Sequence, residues 1–183
     1  VTNGEILAMV SLPDFDPNRR PTPLLTGDPA DSPLFSRSVQ GLYELGSVFK
    51  IFTVAQALEL GLVNPNTMID TRGPLVQGRY KISDFHNYGA SLSVSDVIKH
   101  SSNIGTSRIA LMIGGERQKA FLGSLGILEA TPLEVVEAPG IKPLLQKSWG
   151  DIQTMTISFG HGLSTSQVHL AAAYATLANG GFK

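Results

Sequence analysis

Ser47 and Lys50 stand three residues apart in the segment Leu45-Gly46-Ser47-Val48-Phe49-Lys50. A turn glycine precedes the serine, and a long apolar, helix-forming run from Ile51 to Leu60 follows the lysine. That context predicts a serine on the first turn of a helix, with a lysine one turn on and on the same face. A hydroxyl is a poor nucleophile until a base takes its proton, and a lysine kept neutral by burial can be that base. The apolar neighbours Val48, Phe49, Ile51, Phe52 and Val54 are of the kind that lowers a lysine pKa. The free N–H groups of a helix N-terminus also favour a developing oxyanion. Nucleophile, base and part of an oxyanion hole therefore fit within one turn, although a serine-lysine pair alone is a common surface feature.

A second polar cluster, Ser101-Ser102-Asn103, lies between two helical patterns. Ser93-Val94-Ser95-Asp96 reads as a capping box opening a short helix through Lys99. Ile104 to Ile113 carries a helical pattern that stops at Gly114-Gly115. Such breaks attract serine and asparagine for turn reasons alone. Read functionally, they form a polar corner in which Asn103 holds Lys50 and Ser101 relays a proton to a leaving amine.

The elements that must position these groups read as follows. Gly4 to Leu12 is expected as a strand, Asp14 to Pro33 as a proline-rich loop, and Phe35 to Tyr43 as a second strand entering the Ser47 helix. That helix ends near Gly61, and Leu75 to Ile82 around Gly78 is a small hairpin. Helices are expected near 93–100, 103–113, 116–124, 149–157 and 167–177, with a proline-interrupted loop from Thr131 to Leu145. Trp149 is expected in the core, while Asp84 and Tyr88 are polar loop residues able to line a cleft.

Composition narrows the class. The chain has 183 residues, enough for one real core, and only 16% are charged against a typical ~25%. Net charge is −1 with no basic block, so nothing points to nucleic acid. There is no cysteine, hence no disulfide and no thiolate metal site. His86, His100, His161 and His169 show no metal spacing, and no metal or other cofactor is expected. No apolar run reaches the ~18 residues of a membrane span.

A serine-x-x-lysine followed by a serine/asparagine motif is the first part of the penicillin-binding protein and β-lactamase set. The likeness extends further. Gly4 to Ser11 with Phe15-Asp16-Pro17-Asn18 resembles the opening of the transpeptidase domain of class B penicillin-binding proteins. Tyr43 to Lys50 resembles that family's active-site segment, and Ser101-Ser102-Asn103-Ile104-Gly105 resembles the second motif of its division-specific branch. Trp149-Gly150-Asp151-Ile152 through Ser158-Phe159-Gly160-His161-Gly162, and then Leu170 to Gly181, resemble the segments leading toward the third motif. This chain has Leu45 where the family usually has proline, Ser166-Gln167 where it often has Thr-Pro, and Asn103 where the elongation branch more often has Asp. The third motif, Lys-Thr/Ser-Gly, does not occur before Lys183.

The resemblance implies an α/β (α+β) fold of the penicillin-binding protein and serine β-lactamase type, with helices around an antiparallel sheet, incomplete here. Residues 1–183 would be a partial transpeptidase domain lacking the third-motif strand and half of the oxyanion hole, so this chain alone should acylate slowly or not at all. The implied activity is peptidoglycan D,D-transpeptidation, with Ser47, Lys50, Ser101 and Asn103 catalytic and Glu44, Ser102, Gly160, His161 and Gly162 toward the substrate. Glu44 reads more as a structural partner of the nucleophile turn than as a base. The implied partners are a peptidoglycan stem peptide, β-lactam antibiotics and membrane proteins of the division machinery. The implied location is the periplasmic face of the inner membrane. Rival readings are a serine β-lactamase, a β-lactam sensor domain and a structural division partner.

Overall fold

The structure, a computed structural model, describes residues 3–131, 133–136, 138 and 140–182. The chain divides into two compact units. One holds residues 44–122 and 145–163, and the other residues 1–43, 123–144 and 164–183. Where composition suggested a single core, the chain crosses between the units at four points. Three of the crossings fall inside short strands, β1 (Tyr43–Glu44), β6 (Leu144–Leu145) and β7 (Leu163–Thr165), and the fourth, between Leu122 and Gly123, falls inside a helix.

The unit that carries Ser47 begins with a 3₁₀ turn, Gly46–Phe49, running directly into α1, Lys50–Glu59. Phe49, Phe52, Thr53 and Gln56 recur at helical spacing and are buried, while Lys50, Val54 and Ala57 form a second buried row. The Phe49 and Phe52 rings meet edge to face at 5.1 Å. The chain leaves α1 at Gly61, whose φ of +64° suits a residue without a Cβ. Two antiparallel pairs follow. In the first, β2 (Met68–Asp70) pairs with β5 (Ser91–Ser93), Ile69 facing Leu92. In the second, β3 (Leu75–Gln77) pairs with β4 (Tyr80–Ile82) as the expected hairpin, turned at Gly78 with φ +58°.

Helices α2 (Val94–Lys99), α3 (Asn103–Ile113), α4 (Gly115–Ser124) and α5 (Asp151–Ser158) lie close to the expected bounds. The Ser93 hydroxyl accepts from the Asp96 N–H at 3.1 Å and donates to the Asp96 carboxylate at 2.6 Å, so the predicted cap forms. Val54 and Ala57 of α1, Ile69, Leu92, Val97 of α2, and Ile109 and Ile113 of α3 make one apolar cluster. Ile82 at the end of β4 makes another with Met155 and Phe159. Trp149 is only half-buried; it is tied by its indole N–H to Gln118 Oε1 at 2.9 Å rather than sunk in the core.

The other unit corrects two strand expectations. Gly4 to Leu12 forms no ladder among the described residues, and Leu7 is 91% exposed. Its last residues are instead held by hydroxyls: Ser11 Oγ donates to the Phe35 carbonyl at 3.1 Å, and Ser38 Oγ donates to the Val10 carbonyl at 3.1 Å. Residues 36–40 are a turn, closed by the Gln40 N–H on the Ser36 carbonyl at 2.7 Å and by Gln40 Oε1 on the Ser36 N–H at 2.8 Å. Side chains that satisfy the local backbone compete with a ladder, so the alternating pattern here was misleading. The proline-rich segment holds two short 3₁₀ turns, Pro17–Arg19 and Pro29–Asp31, each capped by an aspartate. Helix α6, Gln167–Ala178, is capped by Ser166. No helix of the described residues is long and apolar enough to cross a membrane.

Candidate active site

The 3₁₀ turn and the first residue of α1 place Ser47 and Lys50 as the spacing predicts. Ser47 is exposed, whereas Lys50 is 2% exposed, so the hydroxyl meets solvent while the amine is covered. Lys50 Nζ lies 3.1 Å from Ser47 Oγ. Burial pushes the ammonium down to about 8, against the field of Asp84, which favours the charged form. Of its apolar sequence neighbours, Phe49, Phe52 and Val54 are buried, whereas Val48 is 48% exposed.

The distant stretch 101–103 joins this pair. Lys50 Nζ also lies 2.7 Å from Ser101 Oγ and 2.5 Å from the Ser101 carbonyl oxygen. Ser101 occupies the left-handed region with φ +56°, alone in this among the described non-glycine residues. Its place explains the conformation. The Ser102 N–H bonds the Val97 carbonyl at 2.9 Å and the Ser101 N–H bonds the Ile98 carbonyl at 3.1 Å. This is a Schellman ending to α2, with Ser101 where glycine is the usual residue. A serine held there costs about 1 kcal/mol relative to glycine. The return is that both of its oxygens reach Lys50.

Ser102 begins α3. It is fully buried, and its hydroxyl accepts from the Gly105 N–H at 2.8 Å and donates to Asp84 Oδ2 at 2.7 Å. The expectation that Ser102 faces the substrate is therefore corrected to a capping role. Asn103 is half-buried, and its amide donates to the Ser83 carbonyl at 3.1 Å. The hydrogen bonds of Lys50 go to Ser47 and Ser101, so Ser101 does the holding expected of Asn103.

The third wall is the loop after α5. The Gly46 N–H donates to the Gly160 carbonyl at 3.1 Å, and the Gly162 N–H donates to Glu44 Oε1 at 2.6 Å. Glu44 and Gly160 thus brace the turn that carries Ser47. His161 is exposed beside Phe159, with their rings 5.4 Å apart. Asp84 is the residue that sequence reasoning undervalued: a polar loop residue two positions past β4 bonds both Ser102 and the Ile104 N–H, the latter at 2.9 Å. The available signal was its place just after a hairpin strand with an apolar end. Tyr88 does not reach the polar corner; it packs on the apolar cluster and stacks on His100 at 5.0 Å.

Chemically, the arrangement fits serine acyl transfer. A neutral amine has two N–H donors and one lone pair. With its donors on the two Ser101 oxygens, the lone pair is left for the Ser47 proton.

Known proteins resemble this chain throughout. It is 37% identical over 181 residues to the probable peptidoglycan D,D-transpeptidase FtsI of Caulobacter vibrioides, matching 99% of this chain and 29% of that protein. It is 34% identical over 182 residues to peptidoglycan D,D-transpeptidase FtsI of Escherichia coli, again with 99% of this chain and 29% of that protein. The chain therefore spans less than a third of the length of these relatives. Among solved structures, the transpeptidase domain of penicillin-binding protein 3 from Burkholderia pseudomallei superposes with a TM-score of 0.72 at 34% identity, over 79% of this chain and 44% of that one. A structure described as a peptidoglycan glycosyltransferase from Burkholderia ambifaria gives a TM-score of 0.73 at 35% identity, over 80% and 46%. The mixed helical and antiparallel-sheet architecture agrees with the α/β fold of these neighbours. With residues 1–183 all matched by the family model for the penicillin binding protein transpeptidase domain, the chain belongs to that family.

Proposed function

We propose that this chain supplies the nucleophile, base and proton-relay side of a peptidoglycan D,D-transpeptidase. The substrate is a stem peptide ending in D-alanyl-D-alanine. The observation that carries this reading is the contact of Lys50 Nζ with Ser47 Oγ at 3.1 Å and with both Ser101 oxygens, beside an accessible Ser47. Ser47 Oγ attacks the carbonyl of the penultimate D-alanine while its proton passes to Lys50 Nζ. The N–H at the start of the helix carrying Ser47 supports the oxyanion of the tetrahedral intermediate. The Lys50 proton then moves through Ser101 Oγ to the departing amine as the peptide C–N bond breaks and free D-alanine leaves. An amine of a neighbouring stem peptide attacks the ester, Ser47 regains its proton, and a cross-link results. Asn103, with its amide anchored near the corner, contacts the substrate backbone, and the 160–162 loop borders the cleft. β-Lactams acylate the same serine because their strained amide occupies the same place.

In the cell this activity belongs on the periplasmic face of the inner membrane, in septal wall synthesis with the membrane proteins of division. The family assignment and the division-type Asn103 support that placement. The test is labelling of the full-length protein with a fluorescent penicillin. Wild type should form a stable adduct and Ser47→Ala none. Labelling that survives Ser47→Ala rejects the nucleophile, and rapid turnover of a chromogenic cephalosporin would make the protein a β-lactamase instead.

A further inference from the structure

The strained conformation of Ser101 needs a support that the Schellman bonds alone do not supply, because a helix ending frays easily. The support comes from the segment after β4. Ile82 anchors that strand in the cluster with Met155 and Phe159. The residues that follow meet the start of α3 at three points. The Asn103 amide donates to the Ser83 carbonyl at 3.1 Å, the Ser102 hydroxyl donates to Asp84 Oδ2 at 2.7 Å, and the Ile104 N–H donates to Asp84 Oδ1 at 2.9 Å. Both carboxylate oxygens are engaged, each on a different backbone or side-chain donor of the same turn. Ser102 is fully buried, so its hydroxyl has no water to fall back on.

We propose that Asp84 is a positioning residue of the acylation site, locking the first turn of α3 so that Ser101 keeps both of its oxygens on Lys50. This rests on the acyl-transfer reading above. Asp84 touches no reacting atom. It acts through Ser102, the chain neighbour of Ser101, and through Ile104 in the same turn. A shift of ~1 Å at such a point is enough to cost about a hundredfold in rate. The carboxylate has a second effect of opposite sign: its field favours the charged form of Lys50. Asp84 thus improves the geometry of the base while holding back its deprotonation, and a substitution separates the two.

The experiment measures the second-order rate of acylation by a fluorescent penicillin in the full-length protein across pH 6 to about 10, with melting curves alongside. Asp84→Asn should lower the plateau rate about ten- to a hundredfold. The pH at which the rate reaches half its plateau should move down, because the negative charge near Lys50 is gone. A role confined to stability would lower the melting temperature and leave the plateau rate in place. An Asp84→Asn protein with a wild-type plateau rate overturns the proposal, whether or not its midpoint moves. If Asp84→Asn does not fold, Asp84→Glu takes its place. It keeps the charge but moves it by one methylene, so it should lower the plateau without moving the midpoint, and a wild-type rate overturns the proposal equally. The underlying reading is tested separately by Ser47→Ala. If that variant still labels, the acyl-transfer assignment fails whatever Asp84 does; if it does not, a silent Asp84→Asn counts against Asp84 alone.

Discussion

Gly160 is stacked on Gly46 so closely that a Cβ added at position 160 would sit 2.2 Å from the Gly46 carbonyl oxygen and 2.4 Å from its nitrogen. Gly160 also has φ +82°, a region that side chains rarely adopt. The turn that carries Ser47 is therefore set by backbone contact with the loop after α5, one residue before Ser47.

Gly160→Ala should consequently damage the site rather than only the loop. The backbone at Gly46 cannot move aside as a flexible side chain would, and the φ strain adds about 1–3 kcal/mol. The expected outcome is a lower melting temperature and a fall in penicillin acylation of at least tenfold. A variant that folds and labels as wild type would show that the 46–160 contact does not position Ser47.

Ser101 gives a paired prediction. Ser101→Ala and Ser101→Gly both remove the hydroxyl, and both should lose most acylation because the proposed proton relay is gone. They differ in strain. Glycine accepts the φ of +56° freely, so Ser101→Gly should be more stable than Ser101→Ala by about 1 kcal/mol. Thermal melts of the two proteins measure the difference, and equal melting temperatures would contradict a strained Ser101.

Lys50 links activity to pH. With its pKa lowered to about 8 by burial, the neutral base becomes abundant as pH rises through 8, and acylation should rise with it. Stability follows with a definite sign. Between about 8 and the ordinary lysine value of 10.5, the unfolded chain binds a proton that the folded one has released. Stability attributable to Lys50 therefore rises with pH across that window, and below 8 the buried ammonium is a full cost. Lys50→Met should abolish acylation and remove this increment, read as the difference between denaturation curves of variant and wild type at pH 7 and pH 10.

His169 predicts an acid limit in the other unit. It is buried, with Nδ1 2.7 Å from Ser166 Oγ, Nε2 2.9 Å from the Glu129 carbonyl oxygen, and Thr131 Oγ1 3.0 Å from Nδ1. Burial holds its pKa below the usual 6.5. As pH falls below that value the unfolded chain takes up a proton first, so the folded state loses stability. His169→Gln should be less pH-sensitive between pH 7 and about 5 in thermal melts, and an unchanged acid slope would remove His169 as its cause.

How much of this was legible beforehand varied with the range of the interaction. The Ser93 cap, the Gly78 hairpin, the Gly61 helix stop and the one-turn spacing of Ser47 and Lys50 are local, and the residue pattern predicts them because neighbours in sequence are neighbours in space. The two front strands were misjudged because a ladder needs a partner, and alternation says nothing of whether one arrives. Asp84 was undervalued and Ser102 misassigned for the same reason. Nothing local to Asp84 announces that the start of α3, 18 residues on, will present it with two donors.

By itself, then, the chain sequence determined a serine and a lysine on one helical turn, a polar break between two helices, and membership of a recognisable motif order. Tertiary structure alone decided that the break would land on Lys50, that Ser101 rather than Asn103 would grip it, and that Gly160 would brace the turn. Hydrogen bonds across 51 residues of chain are made by packing, and packing depends on the whole unit rather than on any window of residues.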